Sequence, residues 1–277
     1  MTDPTVDADS FNAFEAAGWE VQVAGYEEFF VPITTQLVGP LLDATGVGGG
    51  DRVLDVASGP GHVAAGAAGR GASVIGVDIA EGMLSLARRR HPELEFRRGD
   101  AEALPFPDGS FDAVVANFVM LHVGRPEQAV AEFARILVPD GRVALTVWDV
   151  PERARVLGVL IEAVAAAGAS PPQDIPIGPP FFRFADDEEF GALLRGQGLE
   201  DVVVRTIAFS HREASPEALW QGLLGGTVRT AALIRGQTGD MQRQIRAEFD
   251  RIVRQHEVDG GLELPISVKL ASGRKSA

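Results

Sequence analysis

From residue 51 to residue 148, short buried runs alternate with helical segments, and this alternation restricts the fold more than any other feature of the chain. Five runs rich in apolar residues read as strands, at residues 52–56, 73–77, 94–98, 111–116 and 142–148. Helical periodicity fills intervals between them, at about residues 61–70, 82–91 and 126–137. This order predicts an α/β fold with a mostly parallel sheet that carries helices on both faces.

The segment before this core differs from it in composition. Residues 10–45 contain aromatic residues and leucines at helical spacing. We therefore expect a helical N-terminal cap over residues 1–46, placed before the first strand. It should contain two helices, at about residues 10–30 and 32–45. The core follows at residues 47–150.

The segment after the core, residues 151–277, combines further strands with helices. Strand-like runs at 202–209 and 264–271 flank a helical block at 215–256. We expect the two strands to close the sheet as an antiparallel pair, and the helical block to cover one end of it. The whole chain then forms one globular domain.

Charge and composition exclude several classes of partner. The net charge is −14, and Lys269 and Lys275 are the only lysines, so the chain repels a nucleic-acid backbone. No apolar run is long enough to span a membrane, and the polar start of the chain does not resemble a secretory signal. The sequence has no cysteine, which excludes disulfides and thiolate metal sites. These features predict a cytoplasmic protein that binds neither nucleic acid nor membrane, and they leave a homo-oligomer open.

A glycine-rich turn follows the first strand, in the stretch VLDVASGPGH at residues 53–62. Gly59 and Gly61 have no Cβ to hold a ligand away, and the amides at the start of the next helix point outward. The turn alone is also compatible with a tight connection that binds nothing. Its use depends on the residues that come to the same edge of the sheet.

Polar side chains follow three further strands at their carboxyl ends. Asp78 comes 23 residues after Asp55, the usual spacing for a carboxylate that binds both hydroxyls of a ribose. Asp100 follows the third strand and Asn117 ends the fourth. Each acid alone is compatible with a surface turn. Because the carboxyl ends of parallel strands share one edge, the set predicts an adenosine-type site near the first strand.

The turn also indicates which adenosine ligand is bound. A dinucleotide motif, G-x-G-x-x-G, would have glycine at the position of Ala57. Asp55 lies in the strand just before the turn, where a carboxylate disfavours pyrophosphate and favours an amino group or a sulfonium. On charge grounds the site favours S-adenosylmethionine over NAD.

Four blocks in order carry a resemblance to a known family. They read VLDVASGPGHVA at 53–64, GVDIAEGML at 76–84, GDAEALPFPDGSFDAVVANFVMLHV at 99–123 and RILVPDGRVALTVWD at 135–149. The chain resembles class I S-adenosylmethionine-dependent methyltransferases of the small-molecule type, grouped with ubiquinone, menaquinone and bacterial natural-product biosynthesis. The resemblance implies a Rossmann-like sheet of seven strands with one antiparallel closing strand, and S-adenosylhomocysteine as the product of the cofactor.

The resemblance also implies a role for each matching position. Asp55 and Asn117 would lie near the methionine end of the cofactor, and Asp78 would bind the ribose. The other implied or candidate cofactor contacts are Tyr26, Ala57, Gly59, Gly61, Ile79, Met83, Asp100, Ala101 and Glu102. Alanine at position 57 is tolerable there if its φ is negative. Trp19 is a second candidate, with Tyr26, for an aromatic residue that folds over the cofactor.

A sulfonium is already an activated leaving group, so we expect no metal at the site. Acceptors with a hydroxyl or an acidic C–H benefit from a base. His122, just past the fourth strand, is the candidate base because the fold brings it near the cofactor and because imidazole titrates near neutral pH. A purely structural histidine at this position is the alternative.

The acceptor pocket is expected between the cap, the segment 181–184 and helices at 219–233, whose aromatic and leucine content suggests an apolar small molecule. Arg183, Arg229 and Arg235 lie in these segments and could bind an acidic group, although each is also compatible with a surface ion pair. The fourth strand lacks the Asn/Asp-Pro-Pro-Tyr motif of amino-nitrogen and nucleobase methyltransferases. This absence, together with the net charge, argues against DNA or RNA as the acceptor. The preferred hypothesis is methyl transfer to oxygen or carbon of a small, largely apolar metabolite.

Two other functions remain open at the level of sequence. An NAD-linked oxidoreductase would use a related fold, but Ala57 and the antiparallel C-terminal pair oppose it. A methyltransferase fold that has become a cyclase or a binding subunit would keep the same cofactor residues. The sequence does not identify the acceptor.

Overall fold

A computed structural model describes residues 6–172 and 174–277 of the chain. Its sheet has seven main strands and a two-residue strand, β7. They are β1 (Arg52–Val56), β2 (Ser73–Asp78), β3 (Glu95–Arg98), β4 (Phe111–Asn117), β5 (Leu137–Trp148), β6 (Leu199–Glu213), β7 (Glu257–Val258) and β8 (Gly261–Lys275). Each predicted strand is present, so the expected fold class is confirmed.

The strand order is β3-β2-β1-β4-β5-β8-β6, and β7 pairs with the start of β8. The first five strands of this order are parallel, while β8 is antiparallel to both β5 and β6. The chain therefore leaves β1 in one direction to build β2 and β3, and returns to its other side to build β4 and β5. Such a reversal opens a crevice at the carboxyl ends of β1 and β4.

The N-terminal cap is more broken than the sequence predicted. Its helices are α1 (Ala8–Val21), α2 (Val23–Gly25), α3 (Val31–Thr34) and α4 (Val38–Thr45), with a π-helical turn at Tyr26–Phe30. Two continuous helices were expected over most of this range. Residues 1–5 of the expected cap lie outside the described residues. Single π turns are rare and occur frequently at functional sites, and this one carries Tyr26.

The remaining helices are α5 (His62–Gly69), α6 (Glu81–Arg90), α7 (Pro126–Ile136), α8 (Arg155–Ala166), α9 (Asp187–Arg195), α10 (Pro216–Gly226), α11 (Arg229–Arg235) and α12 (Gly239–Val253). The predicted helical block at 215–256 thus divides into three. Ser215 and Thr238 begin α10 and α12, because each side-chain oxygen accepts a hydrogen bond from an amide of the first turn. No helix in the described ranges is both long and apolar enough to cross a membrane.

The two faces of the sheet carry separate hydrophobic cores. Along β4, Ala113 and Val115 belong to one core, whereas Val114 and Ala116 belong to the other. Helices α4, α5, α8 and α12 contribute to the first core, and α7 and α9 contribute to the second. Successive residues of a strand point to opposite faces, so apolar runs without alternation are buried on both sides. This burial holds the carboxyl ends of β1, β2 and β4 in fixed positions.

Candidate functional site

A cavity of about 1150 Å³, partly open to solvent, lies at the carboxyl ends of β1, β2 and β4. Its walls come from the cap, from the strand ends and from the segments around α11. The residues lining it include Asn12, Glu15, Trp19, Tyr26, Ala57, Gly59, Asp78, Ile79, Met83, Asp100, Ala101, Asn117, Phe118, His122, Trp148, Phe181 and Arg229. Most of the predicted cofactor residues and the predicted base therefore share one cavity. A smaller cavity of about 350 Å³ adjoins it through Tyr26, Ala57, Gly59 and Asn117, among others.

The turn after β1 uses three left-handed residues, Ala57 (φ 52°), Gly59 (φ 50°) and Gly61 (φ 85°). Alanine at position 57 was expected to be tolerable on the condition of a negative φ, and this condition is not met. An L-residue therefore occupies a conformation that favours glycine. A Cβ on Gly59 would meet nothing within 4 Å, and this residue faces both cavities. The backbone at Gly59 is thus open to a ligand.

Gly61 has a different surrounding. It lines neither cavity, and a Cβ there would lie 2.6 Å from the ring of Phe96. The space in front of Gly61 is therefore filled by protein. Gly61 thus faces protein atoms beneath the turn, whereas the sequence predicted that the cofactor would approach it closely.

Asp78 ends β2 and connects it to the turn. Its carboxylate accepts hydrogen bonds from the amide of Gly59 at 2.8 Å and from the amide of Ala80 at 2.9 Å. Burial raises the pKa of Asp78, and these backbone hydrogen bonds oppose that rise. The side chain is 6% exposed and lines the main cavity, so it is a buried acceptor at the position predicted for a ribose contact.

Asp55 lies deeper, in the wall of the smaller cavity, and is 1% exposed. Its carboxylate accepts a hydrogen bond from the amide of Ala64, in the first turn of α5, at 2.9 Å. Burial, only partly offset by this bond, raises the pKa of Asp55 to about 8. A positive group placed in the adjoining space would stabilise the ionised form.

The two acids after β3 lie in different surroundings. Asp100 and Ala101 line the main cavity. Glu102 is turned away from it, because its carboxylate pairs with the guanidinium of Arg125 at 3.0 Å and accepts from the amide of Arg125 at 2.8 Å. Glu102 therefore connects the loop to the start of α7, and the structure does not bring it to the cavity predicted to hold the cofactor.

Asn117 and its neighbours join the core to the cap. The amide nitrogen of Asn117 donates to the carbonyl of Thr34 at 3.1 Å, and its carbonyl accepts from the hydroxyl of Thr146 at 2.6 Å. Phe118 follows with a left-handed φ of 58°, and its ring lies 4.2 Å from that of Trp148. The turn after β4 thus places a polar amide and an aromatic wall side by side.

His122 contacts the cap through a carboxylate that sequence reasoning missed. Its Nδ1 lies 2.8 Å from Oε2 of Glu15, which also accepts from the indole nitrogen of Trp19 at 3.1 Å. Glu15 is 2% exposed. The available signal was its spacing, since residues four apart on α1 share a face and Trp19 was already a candidate.

Only one of the three candidate arginines lines the main cavity. Arg183 pairs with Glu127 and Glu189, both at 2.7 Å, and Arg235 donates to a backbone carbonyl. Arg229 forms no ion pair with a carboxylate of the described residues and lies over the rings of Phe11 and Phe181 at 5.0 and 5.7 Å. Burial lowers the pKa of Arg229, and the attraction of Glu15 opposes this effect.

Comparison with known proteins gives this geometry a family context. A methyltransferase domain family matches residues 54–145. The demethylmenaquinone methyltransferase of Renibacterium salmoninarum is 41% identical over 111 residues, which cover 40% of this chain and 47% of that protein. The chain thus spans about half the length of the curated relatives it matches.

Solved structures extend the similarity to most of the fold. The YcgJ protein of Bacillus subtilis superposes with a TM-score of 0.59 at 22% identity, over 87% of this chain and 99% of that one. The cyclase SpnF superposes with a TM-score of 0.51 at 20% identity, over 88% of this chain and 81% of that one. At such identities these likenesses concern the fold alone. The matched family model identifies residues 54–145 as a methyltransferase domain, and the sheet order agrees with the fold of these solved structures.

Proposed function

We propose that this protein transfers a methyl group from S-adenosylmethionine to an oxygen or carbon atom of a small, largely apolar metabolite. The observation that carries the proposal is the continuity of the main cavity, which runs from the acids at the strand ends to His122 and an aromatic wall. When bound, S-adenosylmethionine supplies a methyl group on a positively charged sulfur that leaves as a neutral thioether. The chain itself must bind the cofactor and the acceptor, orient them for the transfer and keep water out of the site.

The fit of the cofactor is supported by the donors and acceptors of the cavity wall. Asp78 would accept from the ribose hydroxyls, and Asp100 with the amide of Ala101 would bind the adenine edge. The apolar side chains of Ile79 and Met83 line the same wall. The open space in front of Gly59 admits a ligand against the backbone.

The methionine end would extend toward the smaller cavity. Asp55 provides a buried carboxylate there, and a cationic amino group next to it would remove the unfavourable burial of its ionised form. Tyr26 and Asn117 line both cavities and would lie beside this part of the cofactor. Trp19 packs edge-on against Tyr26 with ring centroids 5.5 Å apart, which supports an aromatic cover supplied by the cap.

The acceptor would occupy the remaining part of the main cavity. Phe118, Trp148 and Phe181 give it an apolar wall, which suits a planar or prenylated molecule. Arg229 is a half-buried cation at the same wall, and it would bind an acidic oxygen of the acceptor. The similarity to demethylmenaquinone methyltransferases supports a quinone-type acceptor, and a natural-product or prenyl-type acceptor fits the same wall.

His122 would act as the base. Its Nε2 would take the proton from the hydroxyl or C–H of the acceptor as the new bond to the methyl carbon forms, and would release that proton to solvent after transfer. Residues 1–46 would act as the cap, 47–150 as the cofactor-binding core, and 151–277 as the closing strands with the acceptor-pocket helices. Among the described residues, no group of three or more His, Cys, Asp or Glu side chains could hold a metal ion.

A second candidate function follows from the likeness to SpnF, a cyclase. A fold shared with a cyclase does not separate methyl transfer from a reaction in which the cofactor is bound but not consumed. This alternative predicts binding of S-adenosylmethionine without formation of S-adenosylhomocysteine with any acceptor.

The experiment that tests the proposal has two stages. Denaturing mass spectrometry of the purified protein, followed by calorimetry with S-adenosylmethionine, S-adenosylhomocysteine and NAD, identifies the cofactor. A screen with methyl-labelled S-adenosylmethionine then uses hydroxylated aromatic, naphthoquinone, polyketide and prenyl-diphosphate acceptors. Transfer of label to one class, abolished in a His122→Ala variant that still binds the cofactor, is the expected result. Binding of NAD without the S-adenosyl compounds would refute the proposal.

A further inference from the structure

We propose that Glu15 is a positioning residue for His122, and that this pair assembles only when helix α1 is docked on the core. The inference rests on the proposed function, because His122 is taken as the base. Glu15 belongs to the N-terminal cap, whereas His122 belongs to the loop after β4. The pair therefore crosses the boundary between the cap and the core.

The hydrogen bonds around Glu15 assign the tautomer of His122. Trp19 Nε1 can only donate, so Glu15 Oε2 accepts its hydrogen bond at 3.1 Å. The same oxygen lies 2.8 Å from His122 Nδ1. Because an ionised carboxylate oxygen can only accept hydrogen bonds, the proton of this second bond must be on Nδ1. The lone pair of the neutral imidazole is then on Nε2, which makes no hydrogen bond with the described residues and belongs to a side chain that lines the main cavity.

The burial of Glu15 is unfavourable for a residue with only a packing role. Its side chain is 3% exposed, and Oε1 has no hydrogen-bond partner. A buried polar atom without a partner destabilises the folded state, and more so when it is charged. Arg229 attracts the carboxylate but forms no ion pair with it among the described residues. Such a cost is typical of buried polar groups that have a role at a functional site.

Polar contacts hold helix α1 to the core near both of its ends. Asn12 accepts from the amide of Gly124 at 2.7 Å. Glu20 accepts from the amides of Glu81 and Gly82, at the start of α6, at 2.7 and 2.8 Å. Within α1, Phe11 is the only fully buried apolar side chain. Helices with few buried apolar contacts open at low free energy.

Opening of α1 has two linked effects. It removes one wall of the main cavity, since Asn12, Glu15, Ala16 and Trp19 line that cavity, and a ligand can then enter. It also takes Glu15 and Trp19 away from His122, so the imidazole loses the contact that places its proton on Nδ1. The base is therefore oriented in the closed state alone.

The first test reads the tautomer directly and needs neither cofactor nor acceptor. Nitrogen-15 spectra of protein labelled at histidine, assigned with His122→Ala, are expected to show His122 protonated on Nδ1 at a pH where the ring is neutral. Glu15→Ala should convert it to the Nε2-protonated form that free imidazole side chains prefer in water. Glu28→Gln, an exposed change in the same cap, is the control and should leave the spectrum unchanged. Retention of the Nδ1 proton in Glu15→Ala would overturn the pairing.

The dependence on docking is tested by Glu20→Ala, which removes the contacts with α6 and leaves Glu15 intact. Hydrogen exchange of the α1 amides should accelerate, and the Nδ1-protonated fraction of His122 should fall in parallel. Faster exchange with an unchanged tautomer would refute the dependence on the cap.

The last test separates positioning from mere packing and uses the acceptor identified by the screen. Glu15→Gln should lower kcat by at least about tenfold with the KM for S-adenosylmethionine unchanged, while Glu28→Gln keeps wild-type rates. In a His122→Ala background, Glu15→Gln should have no further effect, because the two residues act as one unit. Additive losses in the double variant would contradict the inference. If no acceptor is methylated, the proposed function fails while the tautomer measurement still judges the pair.

Discussion

Replacement of Ala57 by glycine should stabilise the protein, although it removes a side chain from the edge of the sheet. Ala57 is the first residue of the turn after β1 and has a φ of 52°. Its methyl group is exposed and faces the two cavities. The substitution therefore removes conformational strain without removing a packed group.

The magnitude follows from three terms. A left-handed conformation costs an L-residue roughly 1–2 kcal/mol, and glycine does not incur this cost. Glycine gains roughly 0.4–1 kcal/mol of entropy in the unfolded chain, which acts in the opposite direction. The exposed methyl contributes little of the ~0.8 kcal/mol that a buried one would. The net effect is a gain of about 0.5–1 kcal/mol, or about 1–4 °C in melting temperature.

Urea unfolding and thermal unfolding of the protein without ligand measure this difference. Ala144→Gly is the matched control, because Ala144 lies in the interior of β5 and is 0% exposed. There the same change should cost about 1–2 kcal/mol, from the flexibility of glycine in a strand and the loss of a buried methyl. A variant Ala57→Gly that is no more stable than the wild type would refute the assignment of strain to this turn.

Three other predictions concern the site and the cap. Because burial raises the pKa of Asp55 from 3.8 to about 8, the folded protein between these values keeps a proton that the unfolded chain has released. The free energy of unfolding should then fall as pH rises through this window. Urea titrations across the window should show that Asp55→Asn removes this dependence of the unfolding free energy on pH. An equal dependence in both proteins would contradict the assignment. Asp78→Ala should weaken S-adenosylhomocysteine binding by about tenfold or more in calorimetry, and unchanged affinity would remove the ribose assignment. Gly25→Ala should lower the melting temperature by several degrees, since its Cβ would lie 2.1 Å from the carbonyl oxygen of Gly225, whereas Gly39→Ala, with nothing within 4 Å of its Cβ, should not.

The centre of the sheet was predictable because β1, β2, β4 and the second half of β5 are buried on both faces. The bounds of β1 agree with the prediction, and those of β2 and β4 differ by one residue at the carboxyl end. The start of β5 differs more, because Leu137 pairs with Phe111 across a bulge before regular pairing resumes at Arg142. A hydrophobic pattern indicates which residues are buried. It does not indicate where a strand pairs with its neighbour across a bulge.

The site was predictable where backbone position alone determines the neighbours. Asp78, Asp100 and Asn117 line one cavity because they end parallel strands. Glu102 follows the same rule in sequence, but the guanidinium of Arg125 binds it away from that cavity. The φ of Ala57 could not be read from a turn whose other left-handed residues are glycines.

Glu15 was the largest omission. On a helical wheel it reads as a polar residue between aromatic ones, and its partner His122 lies 107 positions further along the chain. Pairings of this kind depend on how the cap docks. No local pattern in α1 records that arrangement.

The position of β8 has a consequence for the order of folding. This strand lies between β5 and β6, and it follows both of them in the sequence. Until β8 forms, β5 presents an unpaired edge and β6 has no neighbour, since Trp148 pairs with Val268 and Phe209 with Ile266. Contacts between distant segments form slowly, and an open edge strand is a template for aggregation. During synthesis, we expect the segment from β1 to β5 to fold first, with an exposed edge that needs protection until β8 emerges from the ribosome.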